Sequence, residues 1–178
     1  AVAIGDEANA AENAVALGLK AQAAANAVAM GNEANAAENA VALGLKAQAA
    51  ANAVAMGNQA QAAANAIAMG NTSIATGASA VAIGDKAEAA TDHAIAIGEN
   101  AGKYTLRKPD GSNETRGFHS QIAIGHTAGN NVLGGETIAI GMNAGNNIKG
   151  FYNIAMGSDA GSNIKGEKNI AIGYKANE

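Results

Sequence analysis

The sequence has no cysteine, no tryptophan and a single proline, and its 178 residues include only two phenylalanines and three tyrosines. The lack of cysteine excludes a disulfide framework or a thiolate metal site and suits either redox compartment. A globular core of this size normally draws on many Phe, Leu and Trp side chains. With so few here, burial must come from small and β-branched residues stacked at regular intervals. Charge is also sparse, with 11 Lys and Arg against 15 Asp and Glu, a net −4, and no basic patch along the chain. Nucleic acid and an anionic membrane are therefore poor partners. No apolar run approaches the roughly 20 residues that cross a bilayer as a helix. The opening residues read as no signal peptide. The chain opens on Ala1-Val2-Ala3-Ile4-Gly5, already inside a repeat, and so reads as a piece of something longer.

What the sequence has instead is repetition. A core of the form Val/Ile-Ala-Ile/Leu/Met-Gly ends at Gly5, Gly18, Gly31, Gly44, Gly57, Gly70, Gly84, Gly98, Gly125, Gly141, Gly157 and Gly173. A degenerate copy, Ser73-Ile74-Ala75-Thr76-Gly77, lies midway between two of these and is counted as a thirteenth. The spacing divides a single repetitive domain, 1–178, into four stretches: 13-residue repeats over 1–70, 14-residue repeats over 71–98, a repeat with an inserted loop at about 103–118 within 99–125, and 16-residue repeats over 126–178. Residues 7–32 and 33–58 carry the same 26-residue string, the mark of tandem duplication. Duplication is tolerated where each unit touches only its neighbours. Each 16-residue unit holds Ala-Gly near its start (Ala128-Gly129, Ala144-Gly145, Ala160-Gly161). A β-branched residue (Val132, Ile148, Ile164) and a second glycine (Gly134, Gly150, Gly166) follow.

Alanine favours helix, but a period of 13 sustains no supercoil seam. A glycine closes every unit, and the same frame runs on into Asn169-Ile170-Ala171-Ile172-Gly173, where β-branched residues dominate. The Val-Ala-Ile core alternates with period two, placing Val and Ile on one face of a strand and Ala on the other. Each unit then holds two strands of about five residues joined by two tight turns. The glycine suits a corner with positive φ or close backbone approach. Asn13, Asn26, Asn39, Asn52 and Asn65, each five before a glycine, suit the other corner. Coils stacked in parallel at about 4.8 Å make a rod of roughly 60 Å from 12 to 13 coils. A flat two-layer roll has little interior, and both faces of its strand are apolar. One face meets its own coil and the other a neighbouring subunit, so the Val/Ile and Ile/Leu/Met ladder is expected to be well buried in a closed cyclic oligomer.

The cores Ser79-Ala80-Val81-Ala82-Ile83-Gly84 and Asn169-Ile170-Ala171-Ile172-Gly173 resemble the YadA-like head repeats of trimeric autotransporter adhesins, the products of type Vc secretion. That resemblance implies an all-β, left-handed parallel β-roll and a homotrimer carried on a stalk at the bacterial cell surface, after export across the outer membrane. It implies a virulence-associated adhesin head that binds host cells or an extracellular matrix protein such as collagen, fibronectin or laminin. It also leaves room for a partly spacer role, and implies no enzyme activity and no direct membrane contact by this part. The 13-residue units are one shorter than the usual 14 of the family, and the 16-residue units are longer.

The inserted loop holds the only proline, both arginines and two of the five aromatics. Pro109-Asp110-Gly111 reads as a turn at its tip. Tyr104, Arg107, Lys108, Arg116 and Phe118 are the candidate contact residues, toward a ligand or a neighbouring subunit, since insertions in repeat arrays often map to a binding face. His93, His119 and His126 read as turn or surface residues rather than a metal set, and no calcium loop appears. No catalytic, cofactor-binding or metal site is expected, for no nucleophile elbow, Walker or paired-carboxylate pattern is present. Phe151, Tyr152 and Tyr174 either form an aromatic patch or cover the end of the roll. A virion fibre segment is one alternative function. An ice-binding solenoid is another, although Thr72, Thr76, Thr91, Thr127 and Thr137 are scattered rather than in a row.

Because the two 26-residue copies are identical, deleting residues 33–58 should shorten the rod by two coils, about 10 Å, and leave the fold intact. Small-angle scattering and circular dichroism of the deletion variant check this; global unfolding would show that the copies are not equivalent units.

Overall fold

A computed structural model describes residues 1–103 and 121–177. The described residues form a parallel β-solenoid with no helix. A long sheet takes one three-residue strand from every coil, twelve in all, from Val2–Ile4 to Ile170–Ile172 in chain order. A short sheet of seven two-residue strands runs from Asn9–Ala10 to Glu88–Ala89. Every pairing is parallel and brings like positions together: Val15 pairs with Val28, Ala16 with Ala29, Leu17 with Met30. The ladder crosses the 27-residue interval in one step, with Ile95 opposite Ile122. Twelve coils at about 4.8 Å give a rod roughly 50–60 Å long.

Two expectations change in detail. The strands are three and two residues long rather than five, because the corners consume the rest of each coil. The degenerate copy at residues 73–77 is not a coil of its own. Ile74–Ala75 is the short-sheet strand of its coil, paired with Gln61–Ala62 on one side and Glu88–Ala89 on the other.

The interior of the 13-residue coils is alanine. In one coil Ala34, Ala36, Ala40 and Ala42 all point inward and are buried, and the pattern repeats at Ala47, Ala49, Ala53 and Ala55. The aliphatics flanking the central alanine point outward: Val41 and Leu43 are half-buried in a single chain, and Met30 and Met69 are exposed. The aliphatic ladder expected to be buried in an oligomer is thus the face that its own coil leaves uncovered. The physical reason is separation. Two sheets linked by corners of a few residues lie too close to interleave anything larger than a methyl group, so the alternation turns the branched residues out.

Both corners use the left-handed region. Asn39 and Asn52 have φ of 57° and 59°, as expected of the asparagine slot, and His93 takes that slot with φ of 59°. Lys20, Glu33 and Lys46 occupy the opposite corner at φ of 55–57°. Such conformations are costly for ordinary residues, and hydrogen bonds along the stack hold them: the Lys46 amide donates to the Asn32 carbonyl at 2.9 Å. The closing glycines are needed for close approach as well as φ. Gly44 has φ of 134°, and a Cβ there would lie 2.4 Å from the carbonyl oxygen of Gly57.

The three repeat lengths differ at one corner. In the first of the two 14-residue coils Gly77 makes a bulge, with the amides of Thr76 and Gly77 both donating to the Ala89 carbonyl, and Thr91 stacks on it in the second. In the 16-residue coils the return path widens. Val132, Ile148 and Ile164 are buried there as a second core, and single bridges Leu133–Lys149–Lys165 replace the short sheet. The wider interior admits polar groups in place of one alanine column: Gln121, Thr137 and Asn153 are buried. Asn153 donates to the Gly166 carbonyl and accepts from the Asn169 amide, each at 3.0 Å.

An all-alanine interior has no room for growth. Ala55→Leu should lower stability by about 1–3 kcal/mol or more through overpacking, whereas Gln61→Ala, on the outward face, should stay within about 0.5 kcal/mol. Denaturant unfolding of the two variants measures both; equal effects would contradict the tight interior.

Candidate functional surfaces

With the interior filled, the chemistry of the chain lies on its outer faces. The long sheet turns out two parallel apolar columns. One runs Val15, Val28, Val41, Val54 and Ile67, and the other Leu17, Met30, Leu43, Met56 and Met69; the same two columns continue through Ile138 and Ile140 to Ile170 and Ile172. Leu19 and Leu45, at the adjoining corner, widen this face with exposed side chains.

The short sheet is different. Its outward column reads Asn9, Gln22, Asn35, Gln48, Gln61, Ile74 and Glu88. Beside it runs a column of small residues, and the two enclose a shallow groove of about 400 Å³ lined by Asn35, Gln48, Gln61, Ala37, Ala50 and Ala63, among others. One side of the rod is thus aliphatic and the other amide-rich.

Hydrogen-bonded ladders run along the corners. Asn58 donates to Asn71 at 3.1 Å and Asn71 to the Asp85 carboxylate at 2.7 Å. In the lower coils the Thr127 hydroxyl donates to Asn143, and Asn143 to Asp159 at 3.0 Å. The hydrogen bond from Asn71 holds the Asp85 carboxyl below the usual carboxylate range, and those from Asn143 and then Ser158 do the same for Asp159. Where the duplicated units stack, Lys20 pairs with Glu7 at 3.8 Å and Lys46 with Glu33 at 3.5 Å, all half-exposed and worth little in stability.

The sequence-predicted contact residues Tyr104, Arg107, Lys108, Arg116 and Phe118, together with His119, lie outside the described residues. The positions on either side of them are tied to the rod. The Lys103 amide donates to the Asn130 side chain at 2.9 Å, and the buried Gln121 amide donates to the Gly129 carbonyl. His126 is exposed, 4.0 Å from Glu99. Among the described residues no three His, Asp or Glu side chains converge as a metal set.

The three lower aromatics do not make one patch. Phe151 and Tyr152 share the corner before strand Ile154–Met156, with ring centroids 6.2 Å apart. Tyr174 belongs to the corner beyond the strand, stacked in register with Ser158, and its ring lies 5.7 Å from the Lys175 ammonium.

A further face escaped the sequence reading. On the return path of the 16-residue coils, burial alternates strictly: Asn147 out, Ile148 in, Lys149 out, and one coil below Asn163 out, Ile164 in, Lys165 out. Two lysines distant in sequence thereby become neighbours on the surface. The recurring Asn-Ile-Lys at a spacing of 16 was the available signal.

The family model of the YadA head domain repeat (2 copies) matches residues 11–34, 24–47, 63–87 and 75–101. These matches lie in the 13- and 14-residue coils and reach Ala101 at the first residues of the interrupted one. No curated protein matches the chain significantly.

Proposed function

We propose that the chain, matched by the family model over residues 11–47 and 63–101, is a YadA-like head domain of the trimeric autotransporter adhesins, a surface-exposed adhesin family, and that three copies pack through their aliphatic sheets to form a head that grips host surfaces. YadA-like heads form trimers in general. The observation that carries the reading is the division of the rod into one aliphatic and one amide-rich side. Two unbroken columns of Val, Ile, Leu and Met, half-exposed over the length of the rod, are far more apolar surface than a solvated face needs. Packing about a threefold axis parallel to the rod closes that surface with one heterologous contact repeated by symmetry until the ring closes. The amide-rich sheet then faces outward.

The ligand of this reading is a host extracellular matrix protein, such as collagen, fibronectin or laminin, or a host cell surface. The insertion concentrates Tyr104, Arg107, Lys108, Arg116 and Phe118 in a chain otherwise rich in Ala, Asn and Gly. Tyr and Arg are favoured at binding hot spots. In a trimer the insertion recurs three times at one height, and threefold display raises avidity even when each contact is weak.

Sedimentation equilibrium of the head should give three times the 17.4 kDa chain mass. Ile140→Asp, which would place three carboxylates in the packed sheets at several kcal/mol each, should yield monomer or aggregate. A stable folded monomer at micromolar concentration, or normal assembly of Ile140→Asp, would refute the trimer.

For the ligand, the trimer is screened against purified collagen, fibronectin and laminin. Replacing Tyr104, Arg107 and Arg116 by alanine should abolish binding and leave the melting temperature unchanged. A lower melting temperature would mean that these residues clasp a neighbouring subunit. Unchanged binding and unchanged melting would move the search to the amide-rich sheet.

A further inference from the structure

We propose that the return face of the 16-residue coils is a docking strip for a linear anionic polysaccharide, one bearing sulfate or carboxylate groups on its sugars. The strip consists of two outward columns, Asn131, Asn147 and Asn163 beside Leu133, Lys149 and Lys165, backed by the buried Val132, Ile148 and Ile164. This deepens the adhesin reading by naming a ligand class, and it rests on that reading only for its biological setting.

Three observations carry it. The first is charge. Lys149 and Lys165 are bridged in register, one coil or about 4.8 Å apart along the rod. Like charges directly opposite on adjacent strands repel. The upper coils show the contrary arrangement, in which the stacked lysines each face a glutamate, as in Lys20 with Glu7 and Lys46 with Glu33. Neither Lys149 nor Lys165 has an acidic group within 4.0 Å among the described residues. Lys168, at the next corner, adds a third cation, and Glu167 beside it is the one carboxylate in the same stretch of the two lowest return paths. Glu136 stands at that corner one coil above Tyr152 and two above Lys168, and Asp159 is at the far corner, engaged with Asn143 and Ser158. An excess of positive charge thus falls on one side of the widest coils, in a chain whose net charge is −4.

The second observation is hydrogen-bonding capacity. Asn131 donates to Asn147 at 3.3 Å and Asn147 to Asn163 at 3.2 Å, which fixes the amides in a row. Each amide nitrogen carries two hydrogens, so each keeps one N–H for an outside acceptor. Donors at one per coil suit the oxygens of a chain of sugars lying along the rod. The third is Tyr152, half-exposed with φ of 61° in the same column as Lys168, which offers a ring face at the edge of the strip. A pyranose can lie against an aromatic ring on its apolar face. Ammonium, amide and aromatic groups together fit an acidic sugar better than they fit a bare phosphate backbone or a lipid headgroup layer. The β-branched aliphatics of the strip, Val132, Ile148 and Ile164, are buried beneath it rather than presented to a bilayer.

The test uses the assembled head on a biosensor with immobilised heparin as the probe. Hyaluronate, neutral dextran, an oligothymidylate and phosphatidylcholine–phosphatidylglycerol vesicles are run in parallel, and the collagen, fibronectin and laminin panel on the same preparation. The expected result is heparin binding that weakens as salt rises, with little response to dextran. K149Q/K165Q should weaken it at least ten-fold at unchanged melting temperature, and Tyr152→Ala several-fold. K20Q/K46Q, which removes two lysines already beside glutamates, should bind as the native chain does. No binding of heparin, or equal loss in both double variants, would overturn the proposal. So would vesicle or oligothymidylate binding as strong as that of heparin, because it would show attraction to any polyanion. Heparin failure with the matrix proteins still bound sinks the strip alone, whereas matrix-protein failure with heparin still bound sinks the protein-ligand reading and leaves the strip standing.

Discussion

The distance between the two walls of the coil governs this molecule. In the 13-residue coils, with corners of a few residues, the sheets approach so closely that only alanine methyl groups fill the space between them. The central position of every long-sheet strand is accordingly alanine, buried from Ala16 through Ala42, Ala68 and Ala96 to Ala171 and exposed only in the end strand at Ala3. The closing glycines obey the same limit along the stack, where a Cβ at Gly44 would strike the next carbonyl. Because strand side chains alternate, filling the interior with alanine obliges every branched aliphatic to face outward. A chain built this way cannot bury its own Val, Ile, Leu and Met. The apolar side of the rod is thus a consequence of the narrow interior, and the self-association proposed here follows from the same cause.

Repeat length changes what the coil can hold. At 13 residues both walls are strands and the interior is pure alanine. At 14 a bulge at Gly77 is absorbed at the corner without altering the walls. At 16 the return path widens enough to bury Val132, Ile148 and Ile164 and to admit Gln121, Thr137 and Asn153, while the short sheet gives way to single bridges. The long sheet runs unbroken through all three, in register even across the interrupted coil. Variation is therefore confined to the side of the rod away from the aliphatic columns, which is the side free to differ if those columns are packed against sister chains.

Much of the architecture was legible in the sequence because a solenoid is nearly one-dimensional. The recurrence of glycine set the coil boundaries, the period-two core set the strand, and the asparagines at Asn39 and Asn52 marked corners that do take positive φ. Counting was less secure. Residues 73–77 mimic the core motif, and only the pairing of Ile74–Ala75 with the short sheet shows that they belong to an existing coil. Likewise the three lower aromatics are close in sequence, yet Tyr174 falls at the opposite end of the strand from Phe151 and Tyr152.

By itself the sequence determined the coil, its period, its strand and its two corners, since these rest on local alternation and on residues whose backbone preferences are their own. It also carried the family resemblance, because that lies in the same short motif. Which face of the strand turns inward was beyond it: Val-Ala-Ile is apolar on both sides, and local pattern cannot weigh a methyl-wide gap against a wider one. Nor could it show that Lys149 and Lys165, sixteen residues apart, become neighbours. Both outcomes depend on the spacing between walls and on the register between coils, and those exist only once the chain has closed on itself.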